Sequence, residues 1–499
     1  MNNLDKVVIA LDLGTTGNRA IAFDKNGEIV GDSYHEFKQI HPRPAWVEQD
    51  PVEILNSALR VLKETIQKSL PRGVNSIGIT NQRETVVIWN KKNGKPVYNA
   101  IVWQCRRTAD ICRSLAHYRG LVKEKTGLFL DPYFSATKIA WILDSIGGAR
   151  KSAEKGELAF GTVDSWILWN ITGGRVHATE SSNASRTLLY NINTLEYDEE
   201  LLKIFSVPSS ILPEVFDSAN NFGITDKEIM GYEIPVVGIL GDQQASLFAH
   251  AGLEKGIIKN TYGTGLFVMV ETGKTVYQAE RLISTIAWRI DQETYYALEG
   301  SIFSGGSVIK YIKDSLNLIG SVEESSDVAR ALDSNEGVYF VPALTGLGAP
   351  FWDPEARGLI IGLTGSASRN HIVRAAVESL AYQTKDVIDE FENAFGWKLS
   401  PSGYKLRVDG KACANEFLMQ FQSDILNMTV EKAAVTEMTG FGIAGLSAIS
   451  TGFWTKDAFA GFKKIGKTYY PEMSEGQRDG YCRKWKKAVS KSLNWAKTR

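Results

Sequence analysis

Two stretches of this chain carry the same pattern of apolar and polar positions. In the first, Val7-Val8-Ile9-Ala10-Leu11 runs apolar up to Asp12, a polar turn follows as Gly14-Thr15-Thr16-Gly17-Asn18-Arg19, and Ala20-Ile21-Ala22-Phe23 closes the unit. Apolar runs of strand length on either side of a glycine-bearing turn predict a β-hairpin. The second stretch, Gly256–Val270, repeats the arrangement around Tyr262-Gly263-Thr264-Gly265. One unit opens each half of the chain, which predicts an internal duplication whose two turns close on one ligand.

Around the hairpins, strand and helix patterns alternate, as in a mixed α/β protein. A Pro-punctuated loop, His41–Pro51, leads into a helical pattern running to about Leu70. Ser76–Thr80 reads as a short buried strand that delivers Asn81-Gln82-Arg83-Glu84-Thr85 at its end. Val86–Trp89 and Ala100–Trp103 read as further strands, with a hairpin turn at Asn93-Gly94. Tyr133–Leu143 turns from loop to amphipathic helix, and Ile234–Leu240 is an apolar strand running into Gly241-Asp242-Gln243-Gln244-Ala245, where a helix begins. Asp242 at such a turn fits a helix cap as well as a catalytic carboxylate. In the second half, helices are expected near Gly306–Leu316, His371–Ala394 and Phe417–Leu426, with a strand and turn at Leu406–Lys411. Strand ends are where an α/β protein presents side chains to a cleft.

The hairpin turns suggest the ligand. Glycine lets the backbone approach closely, and amides, hydroxyls and a guanidinium are all donors, which suits phosphate. Asp12 at a strand end suits a hydrated Mg²⁺ beside it, although an ordinary tight turn with a solvated Asp fits the same letters. Composition narrows the class. A chain of 499 residues is too long for one core, and two domains of roughly 250 residues are expected. A formal net charge of −1 gives no reason to expect nucleic acid or an anionic membrane as partner. No apolar run approaches the length of a membrane span, and the start of the chain is too short of apolar residues for a signal peptide. Four scattered cysteines (Cys105, Cys112, Cys413, Cys482) favour free thiols in a reducing cytoplasm. Thr272-Gly273-Lys274-Thr275 has the look of a Walker A tail, but Val268 stands where its first glycine belongs. Protein-kinase catalytic motifs and a Gly-x-Ser-x-Gly elbow are missing.

Five segments carry a specific resemblance: Gly78–Thr85 (GITNQRET), Tyr98–Arg107 (YNAIVWQCRR), Gly241–Ala245 (GDQQA), Asn260–Gly265 (NTYGTG) and Leu418–Ile425 (LMQFQSDI). With Tyr133–Asp144 and Gly358–Glu378, they make the chain resemble the FGGY carbohydrate kinases from Val7 to the Trp485–Ala488 region, and nearest their glycerol-phosphorylating members. The resemblance implies an α/β fold of two ribonuclease-H-like domains, as in actin, hexokinase and Hsp70, facing across a central cleft. Residues 1–252 would carry the polyol site and first phosphate loop, and 253–499 the second phosphate loop and adenosine site. It implies ATP-dependent phosphorylation of glycerol to sn-glycerol 3-phosphate with Mg²⁺, in glycerol breakdown and lipid precursor supply, by a cytoplasmic homodimer or homotetramer. Another polyol or sugar as substrate is the alternative within the family. A non-catalytic sensor of glycerol or nucleotide is the alternative outside it.

By the same resemblance, Asp242 is the general base. Arg83 donates to glycerol hydroxyls, Glu84 accepts from them, Tyr133 and Gln243 complete the polar set, and Trp103 and Phe267 wall the carbon skeleton. Thr15, Thr16, Gly17 and Arg19 belong to the first phosphate loop and Thr264 to the second. Gly306, Lys310, Lys411 and Asn415 take the adenosine and α-phosphate positions. Asp12 and Asp242 would reach Mg²⁺ through water. The chain departs from the family's usual text at Lys310 and Lys411, where Gln and Gly are common, at Leu13, where a polar residue is usual, and at Gly17-Asn18, where a serine pair is usual. These departures bear on nucleotide affinity and leave Asp242, Arg83 and Glu84 untouched.

In some bacterial members the loop before the catalytic-Asp strand binds fructose 1,6-bisphosphate through Gly and Arg, or carries a phosphorylatable His. Here Asp217–Pro235 (DSANNFGITDKEIMGYEIP) has no His, and Glu233 stands where the Arg would be. A carboxylate there removes charge-assisted hydrogen bonds and repels phosphate. Activity is therefore expected to be indifferent to sub-millimolar fructose 1,6-bisphosphate even at low ionic strength, where screening is weakest. Saturable inhibition in that titration would show that a basic residue such as Lys227 has replaced the lost site.

Overall fold

A computed structural model of the chain describes residues 6–252, 254–399, 403–435 and 437–497. The first hairpin consists of β1 (Lys6–Leu13) and β2 (Gly17–Phe23), and β3 (Ile29–Glu36) extends it. Asp50 caps α1 (Pro51–Ser69) by accepting from the Val52 amide at 2.8 Å, with Pro51 at the first helical position, where its missing N–H costs nothing. Then come β4 (Gly73–Asn81), a long insertion containing α2 (Ser135–Ser145), β5 (Val236–Gly241) and α3 (Asp242–Ala251). The first sheet runs β5-β4-β1-β2-β3. β1 is buried along Val7–Leu11, as befits a central strand covered on both faces. Because β1, β4 and β5 are parallel, their carboxyl ends at Leu13, Asn81 and Gly241 lie at one edge.

The second half repeats this order. Its hairpin is β6 (Ile257–Tyr262) and β7 (Leu266–Gly273), followed by β8 (Ile283–Ile290), β9 (Glu293–Ile302), α4 (Gly306–Asp314), the long α5 (Arg369–Phe395), β10 (Lys405–Asp409), α6 (Glu416–Leu426), β11 (Val430–Ala433), α7 (Met438–Ser450) and β12 (Ile465–Tyr469). The second sheet runs β8-β9-β7-β6-β10-β11-β12. Its inner five strands, β9-β7-β6-β10-β11, match β3-β2-β1-β4-β5 in order and direction. The duplication expected from two short Gly-Thr turns is a duplication of the whole sheet, and the paired α/β fold implied by the resemblance is present.

Two differences from the sequence reading concern strand length. Only Ala100–Ile101 is a strand in the segment expected to run to Trp103, because the Trp103 amide turns away to the Thr85 hydroxyl. The strand expected at Val86–Trp89 is Val87–Asn90, paired with Leu158–Gly161. The walker-like Thr272–Thr275 segment lies at the end of β7 and opens no helix.

The halves are joined by an exchange of helices. α3 follows β5 of the first sheet yet packs on β6, β7 and β8 of the second. α7 comes from the second half yet packs on β1, β4 and β5. A cut at 252/253 therefore separates the sheets but leaves each half one helix from the other. The two helices also pack on each other so closely that a Cβ on Gly442 would lie 1.9 Å from the Ala245 carbonyl oxygen. Gly78 on β4 leaves comparable room for Ser447. Overpacking a core typically costs about 1–3 kcal/mol. Gly442→Ala should lower unfolding free energy by at least that amount in urea titration; unchanged stability would mean the helices are not in contact.

Candidate active site

Side chains from the strand ends of both halves line one cavity of about 250 Å³. Arg83, Glu84, Trp103, Tyr133, Asp242, Gln243 and Phe267 all face it, together with Thr15 and Thr16 of the first hairpin turn and Thr264 of the second. The seven expected polyol residues are thus brought together, and both hairpin turns meet them.

One wall is aromatic. Trp103 stands edge-on to Tyr133, with ring centroids 5.7 Å apart, and to Phe267, at 6.3 Å. Its indole N–H donates to the Thr15 hydroxyl at 3.0 Å, so the wall is pinned to the first turn. Charged groups adjoin it, with the Arg83 guanidinium carbon 6.0 Å from the centre of the Phe267 ring. Arg83 donates through Nη1 and Nη2 to the two oxygens of Glu299, at 2.6 and 3.0 Å, and through Nη1 to Gln244 at 3.1 Å. A planar guanidinium held in this way keeps one edge available, the Nε–Nη2 edge. Asp242 stands beside it, with Oδ1 3.3 Å from Nε.

Glu84 has a left-handed backbone, φ 62°, an uncommon state for a residue with a side chain. It is held there by Ser135, whose hydroxyl donates to its carbonyl, and by Arg186, whose Nε donates to its carboxylate at 2.5 Å. Burial raises the proton affinity of Glu84 against the opposing pull of Arg186 and Arg83. Burial would also raise Glu299, but Arg186 and Arg83 outweigh it and hold its carboxyl at about 2. Gln243 accepts from the buried Lys259 ammonium at 2.5 Å, which leaves its amide N–H groups for a ligand. Desolvation brings Lys259 down to about 8.

Asp242 is the first residue of α3 and the cap is Gly241, so the capping alternative does not hold. Oδ1 accepts only the neighbouring Gln243 amide, at 2.7 Å, and the carboxylate remains partly exposed to the cavity. Asp12 sits directly across the first hairpin from Arg19. Arg19 itself pairs with Asp32 at 3.0 Å and with Glu437. Burial, then repulsion from Asp242 and Glu437, raises the Asp12 carboxyl to about 7 against the pull of Arg19. Two such carboxylates repelling each other fit a divalent cation with an oxygen shell. No group of three or more His, Cys, Asp or Glu among the described residues could hold a metal unaided. A cation here would need ligands beyond Asp12 and Asp242.

The remaining nucleotide candidates gather behind the second turn. The amides of Gly305 and Gly306 donate to the carbonyls of Thr264 and Gly263, at 2.9 and 2.8 Å, and fix that turn to the start of α4. A Cβ on Gly306 would lie 3.8 Å from the Ala412 side chain, so the Lys411 loop is adjacent. Lys310 and Lys411 are exposed and form no ion pair among the described residues. Asn415 caps α6 through Oδ1 and donates to Ser325, so both ends of its amide already serve the scaffold. Gly17 is buried where β3 crosses, and a Cβ there would meet the His35 carbonyl at 2.7 Å. Asn18 points inward to the Ile54 carbonyl. The Gly17-Asn18 departure therefore accommodates packing against β3 and α1.

Several participants escaped the sequence reading: Gln39 and Gln104 in the cavity lining, and Arg186, Glu299 and Glu437 around it. Glu299 left a legible signal, a lone charge in the otherwise uncharged strand run YYALEGSI. Arg186 lies in SSNASRT, which reads as an ordinary polar segment.

Residues 7–249 match the N-terminal domain of the FGGY family of carbohydrate kinases, and residues 258–451 match its C-terminal domain. A glycerol kinase of Aquifex aeolicus is 53% identical over 492 residues, covering 98% of this chain and 99% of that protein. Glycerol kinase 2 of Thermotoga maritima is 49% identical over 498 residues, covering 99% and 100%. The crystal structure of Plasmodium falciparum glycerol kinase with ADP superposes with a TM-score of 0.91 at 34% identity, over 98% of each chain. A ligand-bound xylulose kinase from Lactobacillus acidophilus superposes at 0.87 over 97% of each chain, and at 19% identity shares the fold alone.

The raised Asp12 carboxyl has a thermodynamic sign. The folded protein keeps this proton from the ordinary value of 3.8 up to about 7, where the unfolded chain has lost it. The contribution of Asp12 to stability therefore falls as pH rises through that window. In ligand-free protein, the melting temperature of Asp12→Asn should gain on the parent between about pH 4 and 7 and then level off. A pH-independent difference would contradict the shift.

Proposed function

The chain belongs to the FGGY family of carbohydrate kinases, and from that premise we propose that it transfers the γ-phosphoryl group of ATP to glycerol, giving sn-glycerol 3-phosphate and ADP. The observation that carries this reading is the single cavity where a polyol-sized set of donors, acceptors and aromatic walls meets the threonine turns of both hairpins.

Phosphoryl transfer needs positioning, charge neutralisation and an acceptor for the hydroxyl proton. The Nε–Nη2 edge of Arg83 donates to hydroxyl oxygens, Glu84 accepts from a hydroxyl, and Trp103, Tyr133 and Phe267 exclude water from the carbon chain. Asp242 takes the proton of the attacking hydroxyl, and its contact with Arg83 keeps the acceptor oxygen aimed at the substrate. The hydroxyls of Thr15, Thr16 and Thr264 donate to the phosphates. Bound Mg²⁺ would neutralise triphosphate charge, with Asp12 and Asp242 as its protein contacts. Lys310 and Lys411 reach the nucleotide as mobile point charges. ATP and glycerol as substrates, with free thiols among the described cysteines, fit a cytoplasmic enzyme.

The direct test is a coupled ADP-release assay with glycerol, dihydroxyacetone, erythritol and xylulose. Glycerol should give the highest kcat/KM; preference for another polyol or sugar would overturn the substrate assignment. Asp242→Asn keeps shape and loses the proton acceptor, so it should retain glycerol binding and lose at least ~10²-fold in kcat. Turnover within about tenfold of the parent would remove Asp242 from the base role. Lys411→Gly should change the KM for ATP and leave that for glycerol in place. A shift confined to glycerol would show that this side chain points away from the nucleotide.

A further inference from the structure

Four buried charges lie against the polyol site, and two of them belong to no role assigned above. Arg83 and Glu84 come from the end of β4, Arg186 from the insertion, and Glu299 from β9 of the second half. Glu299 is 0% exposed and receives Arg83 at 2.6 and 3.0 Å, Arg186 Nη2 at 3.1 Å and the Ser301 hydroxyl at 2.7 Å. Arg186, also 0% exposed, bridges Glu299 to Glu84 and lies beneath Tyr133, its guanidinium carbon 5.7 Å from that ring's centre. Two positive and two negative charges cancel within this cluster, and Asp242, 3.3 Å from Arg83 Nε, adds a carboxylate on the cavity side.

We propose that Glu299 and Arg186 are the positioning residues that make this site select a neutral polyol over an anionic analogue. This rests on the cavity being the polyol site. Glu299 occupies the end-on fork of Arg83, one of the two edges that can grip a carboxylate or phosphate in two parallel hydrogen bonds, and Asp242 Oδ1 stands 3.3 Å from the Nε of the other. An anion on that remaining side-on edge would meet the charge of Asp242, whereas a hydroxyl oxygen would not be repelled. Arg186 does the corresponding work for Glu84, taking Oε1 and leaving Oε2 to accept a hydroxyl. Since Glu299 is carried by the second half, the recognition pair of the first half is complete only when the halves are together.

Glu299→Gln keeps the size of the side chain and removes one negative charge. Arg83 is then loosened and the cluster becomes one charge more positive. The expected result is a KM for glycerol raised ~10- to 100-fold, with the KM for ATP within about threefold, because losing one partner of a buried charge pair is costly locally. At the same time glycerate, the carboxylate counterpart of glycerol, should become a competitive inhibitor at least ~10-fold tighter than against the parent, since the buried charge that offsets Arg83 is gone and the cluster attracts an anion more strongly. A general loss of packing would weaken glycerol and glycerate alike, so the opposite movement of the two is the signature. Should Glu299→Gln fail to fold, Ser301→Ala, which removes one hydrogen bond to Glu299, should move both quantities in the same directions by a smaller factor. A folded variant with unchanged glycerol KM, or with glycerate no tighter, overturns the proposal. If the parent itself does not phosphorylate glycerol, it is the polyol assignment that fails.

Discussion

The site depends on the exchange of α3 and α7 between the two sheets. α3 begins at the carboxyl edge of the first sheet, with Asp242 as its first residue, and runs onto the second. Its partner crosses the other way, and the two touch so tightly that glycine is required at position 442. The proposed base is therefore fixed at the seam by packing shared between both halves. Apolar burial, which is proportional to area and needs no direction, holds the seam, and the strand ends then set direction. Asp409 at the end of β10 receives hydrogen bonds from Ser246 and His250 of α3, so the same helix is also tied to the strand leading into the Lys411 loop.

Charge is arranged with the same economy of position. Taking four ionised side chains out of water costs several kcal/mol each unless each finds partners. Here Arg83, Glu84, Arg186 and Glu299 pair with one another, with Ser301 and Gln244 adding hydrogen bonds. What remains unpaired is the buried Nη1 of Arg186, together with one oxygen of Glu84 and the Arg83 edge beside Asp242, the last two being groups the proposed polyol would engage. Asp12 is the converse case. Burial, then its neighbours Asp242 and Glu437, raise its proton affinity, and a cation bound there would relieve the repulsion.

Much of this was legible in the chain. Apolar runs broken by Gly-Thr turns gave both hairpins, and strands ending near Asp12, Arg83-Glu84 and Asp242 pointed to one edge, because parallel strands align their carboxyl ends by topology; the polyol and nucleotide roles came from the resemblance alone. The exchange of helices was not legible. Met438–Ser450 is apolar on nearly every side, which announces burial but says nothing of which sheet it covers. Arg186 escaped because a buried Arg is spelled like an exposed one, and only the fold brings it against Glu84. Asn415 and Gly17 were read by resemblance as nucleotide contacts, yet locally each also answers to a helix cap or a strand crossing.

The two halves share one cavity, and the proposed transfer requires them to close on both substrates, so that the hairpin turns reach one triphosphate and water is kept from it. Small-angle X-ray scattering measures this most directly. With glycerol and a nonhydrolysable ATP analogue present together, the radius of gyration should fall below that of the ligand-free protein. Superimposable profiles with and without saturating ligands would contradict a site that closes between the halves.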